Sequence, residues 1–172
     1  FTLLGLGMEE EETGGKLNKR KLPEGEWLVR SKIVESPSMR MFCFPYFVGG
    51  SSVYSPYQKL LPEGTEVCAV QYPGRESRAH EEPYTDAMLL AKKVSECMLP
   101  LLDRPFLIYA HSSGARIAFE VARLLIFEHG KVPKLFIAGA WQAPHLSIDL
   151  DRAPYGKFIR RTVAVLNLNA IF

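Results

Sequence analysis

The sequence is poor in cysteine, carries little net charge and has no long apolar run. Its three cysteines, Cys43, Cys68 and Cys97, form no CxxC pair and no Cys/His pair at metal-ligand spacing, which argues against a disulfide framework and for reduced thiols in a cytoplasmic protein. A formal net charge of +2 gives no concentrated basic face, so we expect neither nucleic acid nor an anionic membrane as a partner. No segment reaches the about 18 consecutive apolar residues of a membrane helix, and the opening FTLLGLG lacks the basic region of a signal peptide.

Length and composition are those of one globular domain. The 172 residues are 47% hydrophobic and 23% charged, which supports one hydrophobic core and no second domain. Residues 1–26 are charged and lack apolar periodicity, which predicts a flexible leader. We therefore expect the folded domain at 27–172.

Four short apolar runs alternate with helical patterns in the middle of the chain. The runs, which predict strands, are 41–45, 66–71, 105–110 and 134–140. Apolar residues three and four positions apart predict helices over 86–101 and 115–128, and Gly130 is placed to end the second. Near-continuous apolar strands are typical of a sheet covered on both faces. This order therefore predicts an α/β fold with a mostly parallel sheet and helices on both faces.

The third predicted strand runs directly into Ala110-His111-Ser112-Ser113-Gly114, and a predicted helix follows. Small-x-Ser-x-small between a strand and a helix is the pattern of a nucleophile elbow, where the serine hydroxyl stands clear at the carboxyl edge of the sheet. The amides at the helix N-terminus then face a developing oxyanion. Centring the elbow on Ser113 would put His111 at a small position, so we predict Ser112 as the nucleophile. The alternative is that both serines only cap the helix.

Several segments in order resemble the type II thioesterases of polyketide, nonribosomal-peptide and fatty-acid synthesis. They are MFCFPYFVGGSSVYSPY (41–57), EVCAVQYPGRESR (66–78), RPFLIYAHSSGARIAFEVARLL (104–125) and LFIAGAWQAPHL (135–146). The resemblance implies an α/β-hydrolase fold. It also implies a serine thioesterase that acts on acyl groups held by the phosphopantetheine arm of an acyl carrier protein, with no cofactor and no metal.

Carried over by position, the resemblance makes Ser112 the nucleophile and the Ser113 amide one donor of the oxyanion hole. The second donor is expected in the loop after the first predicted strand, at Phe47 by ungapped matching. The family has a small residue and then glycines after Pro-Tyr, whereas here Phe47-Val48 precede Gly49-Gly50. The second donor is therefore Phe47 or Val48.

The catalytic acid and histidine that the resemblance implies come late in the chain, and Phe172 is reached before that region. We therefore expect a C-terminally incomplete domain in which 147–172 begin a lid or form an irregular tail. The ending TVAVLNLNAIF is left open between a lid helix, a stray strand and out-of-frame sequence. The histidines present are weak candidates for the base, and Asp149 and Asp151 are weak candidates for the acid. The four histidines are His80, His111, His129 and His145.

Two further pairs and one acid require an interpretation. Arg75 and Glu76 are either a carrier-recognition or catalytic pair or, as we favour, part of a structural loop in which Arg75 binds backbone carbonyls. We expect Tyr46 and Tyr54 to pack, and Glu120 to lie on a helix surface.

The competing functions are a carboxylester hydrolase, which the YPGRESR stretch disfavours, and a non-catalytic module that docks synthase carriers.

Overall fold

The structure, a computed structural model, describes residues 26–140 and the backbone of 163–166. The predicted leader and most of the predicted tail lie outside these residues, as do His145, Asp149 and Asp151. The described residues contain six strands. The strands are β1 (Leu28–Val29), β2 (Met39–Phe44), β3 (Thr65–Val70), β4 (Phe106–His111), β5 (Leu135–Gly139) and β6 (Val163–Leu166).

The six strands form one sheet in the order β1-β3-β2-β4-β5-β6. The four central strands are parallel to one another, while the edge strands β1 and β6 pair antiparallel with β3 and β5. The chain passes from β2 to β3 on one side and then crosses to β4 on the other side of β2. The loops after β2 and β4 therefore diverge, and in parallel α/β sheets such a point opens a crevice at the carboxyl ends of the strands.

Two α-helices connect the parallel strands, and each has a recognisable start or stop. α1 (Ala87–Met98) begins at Asp86, whose carboxylate accepts hydrogen bonds from the amides of Met88 at 2.7 Å and Leu89 at 3.1 Å. A 3₁₀ turn continues it over 99–101. α2 (Gly114–His129) ends at Gly130, which adopts the left-handed conformation at φ +62°. The predicted helix stop at this glycine is confirmed.

The core has two parts, one on each face of the sheet. The larger cluster joins alternate residues of the central strands, such as Phe42, Ile108 and Phe136, to the buried faces of α1 and α2. In the smaller cluster, on the opposite face, Tyr54 of a 3₁₀ helix over 51–59 packs against Cys43 of β2. Burial raises the pKa of Cys43 far above its ordinary value, so this thiol stays protonated.

Ion pairs of Arg40 connect the amino ends of the parallel strands, and the pair with Glu66 is buried. Arg40 on β2 donates to the Glu66 carboxylate on β3 at 2.7 Å, and to the Leu101 carbonyl at 2.7 Å. It also donates to Asp103, and this hydrogen bond holds the pKa of Asp103 below its usual range. The second oxygen of Glu66 accepts from the Val34 amide at 3.1 Å. This network ties the segment before β2 to the sheet.

The fold class predicted from sequence is confirmed, and each predicted strand or helix lies within a few residues of its position. In the described part of the chain, the helical cover predicted for the second face is a 3₁₀ helix. Of the alternatives for the chain ending, a strand is found over 163–166. No helix in the described part of the chain is long and apolar enough to cross a membrane.

Candidate active site

Ser112 lies on a strained turn between β4 and α2. Its φ is +50°, in the left-handed region that residues with a side chain rarely occupy. The turn is held at both ends, because the Ser112 amide donates to the Gly139 carbonyl at 2.8 Å and the Ser112 carbonyl accepts from the Ala115 amide at 2.9 Å. This is the geometry that the small-x-Ser-x-small pattern predicted.

The two small residues of the pattern have the steric role that the sequence predicted. Ala110 is fully buried between the sheet and the helices. A Cβ atom on Gly114 would lie 2.4 Å from the Pro45 carbonyl oxygen and 2.7 Å from the Phe44 carbonyl oxygen. Only glycine therefore lets α2 begin this close to the end of β2.

Ser113 occupies the N-cap position of α2 without capping it, since its side chain makes no hydrogen bond to the helix amides. The alternative that these serines serve as helix caps is therefore wrong for Ser113. Its backbone amide has no acceptor among the residues that the structure describes. An unused amide at the positive end of a 16-residue helix is suited to bind an oxyanion.

The loop after β2 reaches the elbow from the neighbouring strand. Phe47 and Val48 at its tip are 73% and 70% exposed. Phe47 lines the cavity beside the elbow together with Ser113 and Gly114, whereas Val48 does not. This placement favours Phe47 over Val48 for the second oxyanion donor, which stays a prediction. Tyr54 holds the base of the loop by donating to the Phe44 carbonyl at 2.7 Å.

The loop after β3 braces the end of the β2 loop. The Gln71 side-chain oxygen accepts from the Ser51 amide at 2.9 Å and from the Ser51 hydroxyl at 2.7 Å. The Glu76 carboxylate accepts from the Ser52 amide at 3.2 Å and the Ser52 hydroxyl at 2.5 Å. A Cβ on Gly50 would lie 2.3 Å from the Glu76 Cδ atom. Glu76 therefore has a structural role, which favours the structural-loop interpretation of this segment.

The carbonyl-binding role predicted for Arg75 belongs instead to Arg78. Arg78 is 1% exposed, donates to the Gln71 carbonyl at 3.0 Å and pairs with Glu81 at 2.7 Å and 2.5 Å. Its guanidinium also lies 4.0 Å from the centre of the Trp27 ring. The Arg75 guanidinium lies 5.4 Å from the centre of the Phe47 ring at the candidate site.

A cavity of about 280 Å³ opens between the β2 loop, the β3 loop and the start of α2. Its walls are mainly proline, aromatic and aliphatic side chains, with two arginines. Tyr46, which the sequence assigned to packing, lines it and also contacts the His111 ring at 5.7 Å between centroids. The cavity's other lining residues include Tyr72, Arg75, Arg116, Leu90 and Ile117.

No histidine among the described residues forms a hydrogen bond with the Ser112 hydroxyl. His80 lies 4.0 Å from Glu81, His129 is at the exposed end of α2, and His111 packs against Tyr46. The same residues hold no cluster of three or more His, Cys, Asp or Glu side chains that could bind a metal. Glu120 pairs with Arg123 at 2.6 Å on the surface of α2, as predicted for a helix-surface residue.

Gln71, Tyr72, Arg78 and Arg116 were not identified as site residues from the sequence. Gln71 gave one usable signal, since it is a polar residue that ends an otherwise apolar strand run. A polar side chain at the carboxyl end of a parallel strand faces the crevice side of such a sheet. The other three acquire their roles through contacts between separate loops and helices, which no local pattern encodes.

The parallel sheet, the topological crossover at β2 and the strained turn after β4 together define the α/β-hydrolase class. Within this class, residues 39–158 match the family described as the thioesterase domain. The chain belongs to this thioesterase family.

Three relatives illustrate the similarity. The linear gramicidin dehydrogenase LgrE of Brevibacillus parabrevis is 37% identical, over 76% of this chain and 49% of its own. A probable cadicidin biosynthesis thioesterase of Streptomyces griseus is 38% identical, over 69% of this chain and 32% of its own. The solved structure of the RedJ thioesterase from the prodiginine pathway of Streptomyces coelicolor is 33% identical, with a TM-score of 0.60, over 64% of this chain and 42% of that chain. The chain spans about half or less of the length of these relatives.

Proposed function

We propose that this chain carries the nucleophile and the oxyanion hole of a serine thioesterase that acts on acyl groups bound to phosphopantetheine carrier proteins. The observation that carries the proposal is Ser112 at φ +50°, beside the unused amide of Ser113. The loop after β2 meets them across the close approach at Gly114. Family membership and the resemblance to type II thioesterases support the thioester as substrate.

In the proposed reaction the Ser112 oxygen attacks the thioester carbonyl and loses its proton to a base. The amides of Ser113 and Phe47 donate hydrogen bonds to the tetrahedral oxyanion. The C–S bond then breaks, the pantetheine thiolate takes up a proton, and the acyl group stays on Ser112 as an ester. Water hydrolyses this ester to the free acid and restores the serine. Because no histidine between 26 and 140 forms a hydrogen bond with the Ser112 hydroxyl, the proposal places the base outside these residues.

The partner in this proposal is the carrier protein through its acylated arm. The cytoplasm is the proposed location, because Cys43 and Cys68 are buried and form no disulfide, as is usual for proteins of a reducing compartment. The domain is proposed to span 27–172, in keeping with a family match over 39–158.

One relative is named a dehydrogenase, but the described residues do not favour hydride transfer. A dinucleotide-binding loop needs a glycine-rich G-x-G-x-x-G turn between a strand and a helix. After β2 the chain has Phe47-Val48-Gly49-Gly50 and then a 3₁₀ helix, and after β4 it has the serine elbow. Neither turn carries that pattern, whereas the elbow matches what acyl transfer requires.

The test is the intact mass of the full chain after incubation with an acyl-pantetheine thioester, alongside Ser112→Ala. We expect an added acyl group on the unsubstituted chain and none on Ser112→Ala. An adduct on both proteins would place the nucleophile elsewhere. Absence of an adduct on folded chain would contradict the proposal and leave the non-catalytic docking module as the better account.

A further inference from the structure

The cavity beside the elbow is positively charged. Arg75 and Arg116 line it, and none of its described lining residues is a carboxylate. Neither guanidinium forms an ion pair with a residue in the described part of the chain. By contrast, most other described arginines, among them Arg40, Arg78 and Arg123, have a carboxylate partner. Two unpaired guanidinium groups at one cavity favour an anionic ligand, because the planar arginine fork matches carboxylate and phosphate oxygens.

Tyr72 adds a buried polar group that has no hydrogen-bond partner among the described residues. Its hydroxyl is shielded from solvent and has no hydrogen bond in the described part of the structure, and the residue lines the same cavity. A buried hydroxyl without a hydrogen bond is unfavourable, so such a group is usually matched by a ligand or a water molecule. Burial raises the pKa of Tyr72 further above its ordinary value. The phenol therefore stays neutral and is available as a hydrogen-bond donor.

The remaining walls of the cavity are mainly apolar, and the cavity lies beside the elbow. Leu90, Ile117 and three prolines form apolar walls, which suit a carbon chain. Ser113 and Gly114 bring the positive end of α2 to the same cavity. The site thus fits a molecule with an apolar stem, an anionic group and a thioester that reaches Ser112.

We propose that this cavity is a subsite for an anionic group carried by the thioester substrate, bound by Arg75 and Arg116 and by the Tyr72 hydroxyl. The inference rests on the proposed thioesterase function and names a feature of its substrate. The anion is either a carboxylate on the acyl group or the phosphate of the pantetheine arm. Both would present anionic oxygen atoms to the two guanidinium groups. Thioesters that carry the acyl carboxylate, the phosphate, both or neither distinguish the two sources.

The experiment measures equilibrium binding to the full chain carrying Ser112→Ala, which prevents acylation. Four thioesters are titrated by calorimetry: malonyl-pantetheine, isovaleryl-pantetheine and the phosphorylated form of each. Malonyl and isovaleryl groups have the same branched shape, and only malonyl carries a negative charge. We expect one anion, on the acyl group or on the arm, to tighten binding by about 10-fold or more, the usual gain from a charge-assisted hydrogen bond.

Substitutions then assign that preference to the cavity. Arg75→Gln or Arg116→Gln should reduce the preference for the anionic ligand by about 10-fold and change the affinity for neutral isovaleryl-pantetheine by less than about 3-fold. Tyr72→Phe should reduce the preference by a smaller factor, since it removes one neutral donor. Arg116→Lys keeps the charge and should keep part of the preference. The matched control is Arg123→Gln, which removes an arginine two turns further along α2 and away from this cavity.

The outcomes separate this inference from the proposed function. Equal affinity for charged and neutral thioesters, a preference that survives both arginine substitutions, or no measurable binding of any thioester would overturn the subsite. A preference lost equally in Arg123→Gln would also overturn it, since the effect would then be one of overall charge. A cavity-dependent preference without acylation of the unsubstituted chain would uphold the subsite and contradict the proposed catalysis.

Discussion

At Gly114 the helix after the elbow begins in close contact with the end of β2. A Cβ here would lie within 2.4–2.7 Å of the carbonyl oxygens of Pro45 and Phe44, and backbone atoms in a buried strand end have little room to move. We expect Gly114→Ala to lower the free energy of unfolding by about 2–3 kcal/mol, despite the higher helix propensity of alanine. Urea unfolding followed by circular dichroism measures the change.

The matched control for this prediction is the neighbouring Ser113→Ala. The Ser113 side chain makes no cap hydrogen bond, so we expect a change within about 0.5 kcal/mol. Equal unfolding midpoints for Gly114→Ala and the parent would show that Gly114 does not lie against the carbonyl oxygens of Phe44 and Pro45.

At this scale the sequence predicted residues whose role depends on local spacing and missed those whose role depends on distant contacts. The turn at Ser112 and the close approach at Gly114 were predicted because the elbow requires small residues two positions from the serine. Tyr72 and Arg116 were missed because their shared cavity forms only when a loop after β3 packs against the start of α2. Arg75 was given the role of Arg78, since two arginines three positions apart in one loop carry no sign of which one is buried.

At the scale of elements, the loop after β3 positions the loop after β2. Glu76 accepts hydrogen bonds from Ser52 at 2.5 Å and 3.2 Å. Its carboxylate therefore contacts the first turn of the 3₁₀ helix over 51–59. Glu76→Gln keeps the size of the side chain and removes its charge and half of its acceptor capacity. We expect a loss of about 1 kcal/mol in the free energy of unfolding. We also expect slower acylation of Ser112, because the loop after β2, which carries the proposed oxyanion donor Phe47, is less firmly held.

Glu82→Gln provides the comparison for that prediction. Glu82 is an exposed acid of the same loop region, so the substitution removes the same charge without touching the β2 loop. It should leave both stability and the acylation rate close to those of the parent. Matching losses in the two variants would mean that Glu76 acts through overall charge and not as a brace.

The strands and α-helices were predictable because their apolar periodicity is local. The 3₁₀ helix over 51–59 was not predicted. Val53, Tyr54 and Tyr57 lie three and four positions apart, as they would in a helix, but Pro56 inside the segment is a helix-breaking signal. The 3₁₀ helix covers the second face of the sheet because Tyr54 and its neighbours pack on Cys43 and Ala69. That packing is tertiary, and the helix propensity of the segment gives no sign of it.

Across the whole molecule, the two ends of the parallel sheet have different tasks. The carboxyl ends of β2 and β4 carry the elbow and the charged cavity, while the amino ends carry the ion pairs of Arg40. In the sheet register Arg40 lies opposite Phe106, the first residue of β4. Ser112 follows the last residue of that strand, roughly 20 Å away at the rise of a β-strand. Stability and activity should therefore be separable by substitution.

The pair of Arg40 and Glu66 allows this separation to be tested. Arg40→Met leaves the fully buried Glu66 carboxylate with its nearest cation, Arg30, at 3.7 Å, and breaking a buried pair typically costs about 3–5 kcal/mol. We expect a loss near the lower end of that range in urea unfolding. The double variant Arg40→Met with Glu66→Leu should lose at least about 1 kcal/mol less than the sum of the two single changes, because no unpaired charge stays buried.

Arg104→Gln, which removes an exposed partner of Asp103 at 3.5 Å, should change stability by less than about 1 kcal/mol. The folded fraction of every variant should acylate Ser112 at the parent rate, and a slower rate in the folded double variant would show that the two ends of the sheet are coupled.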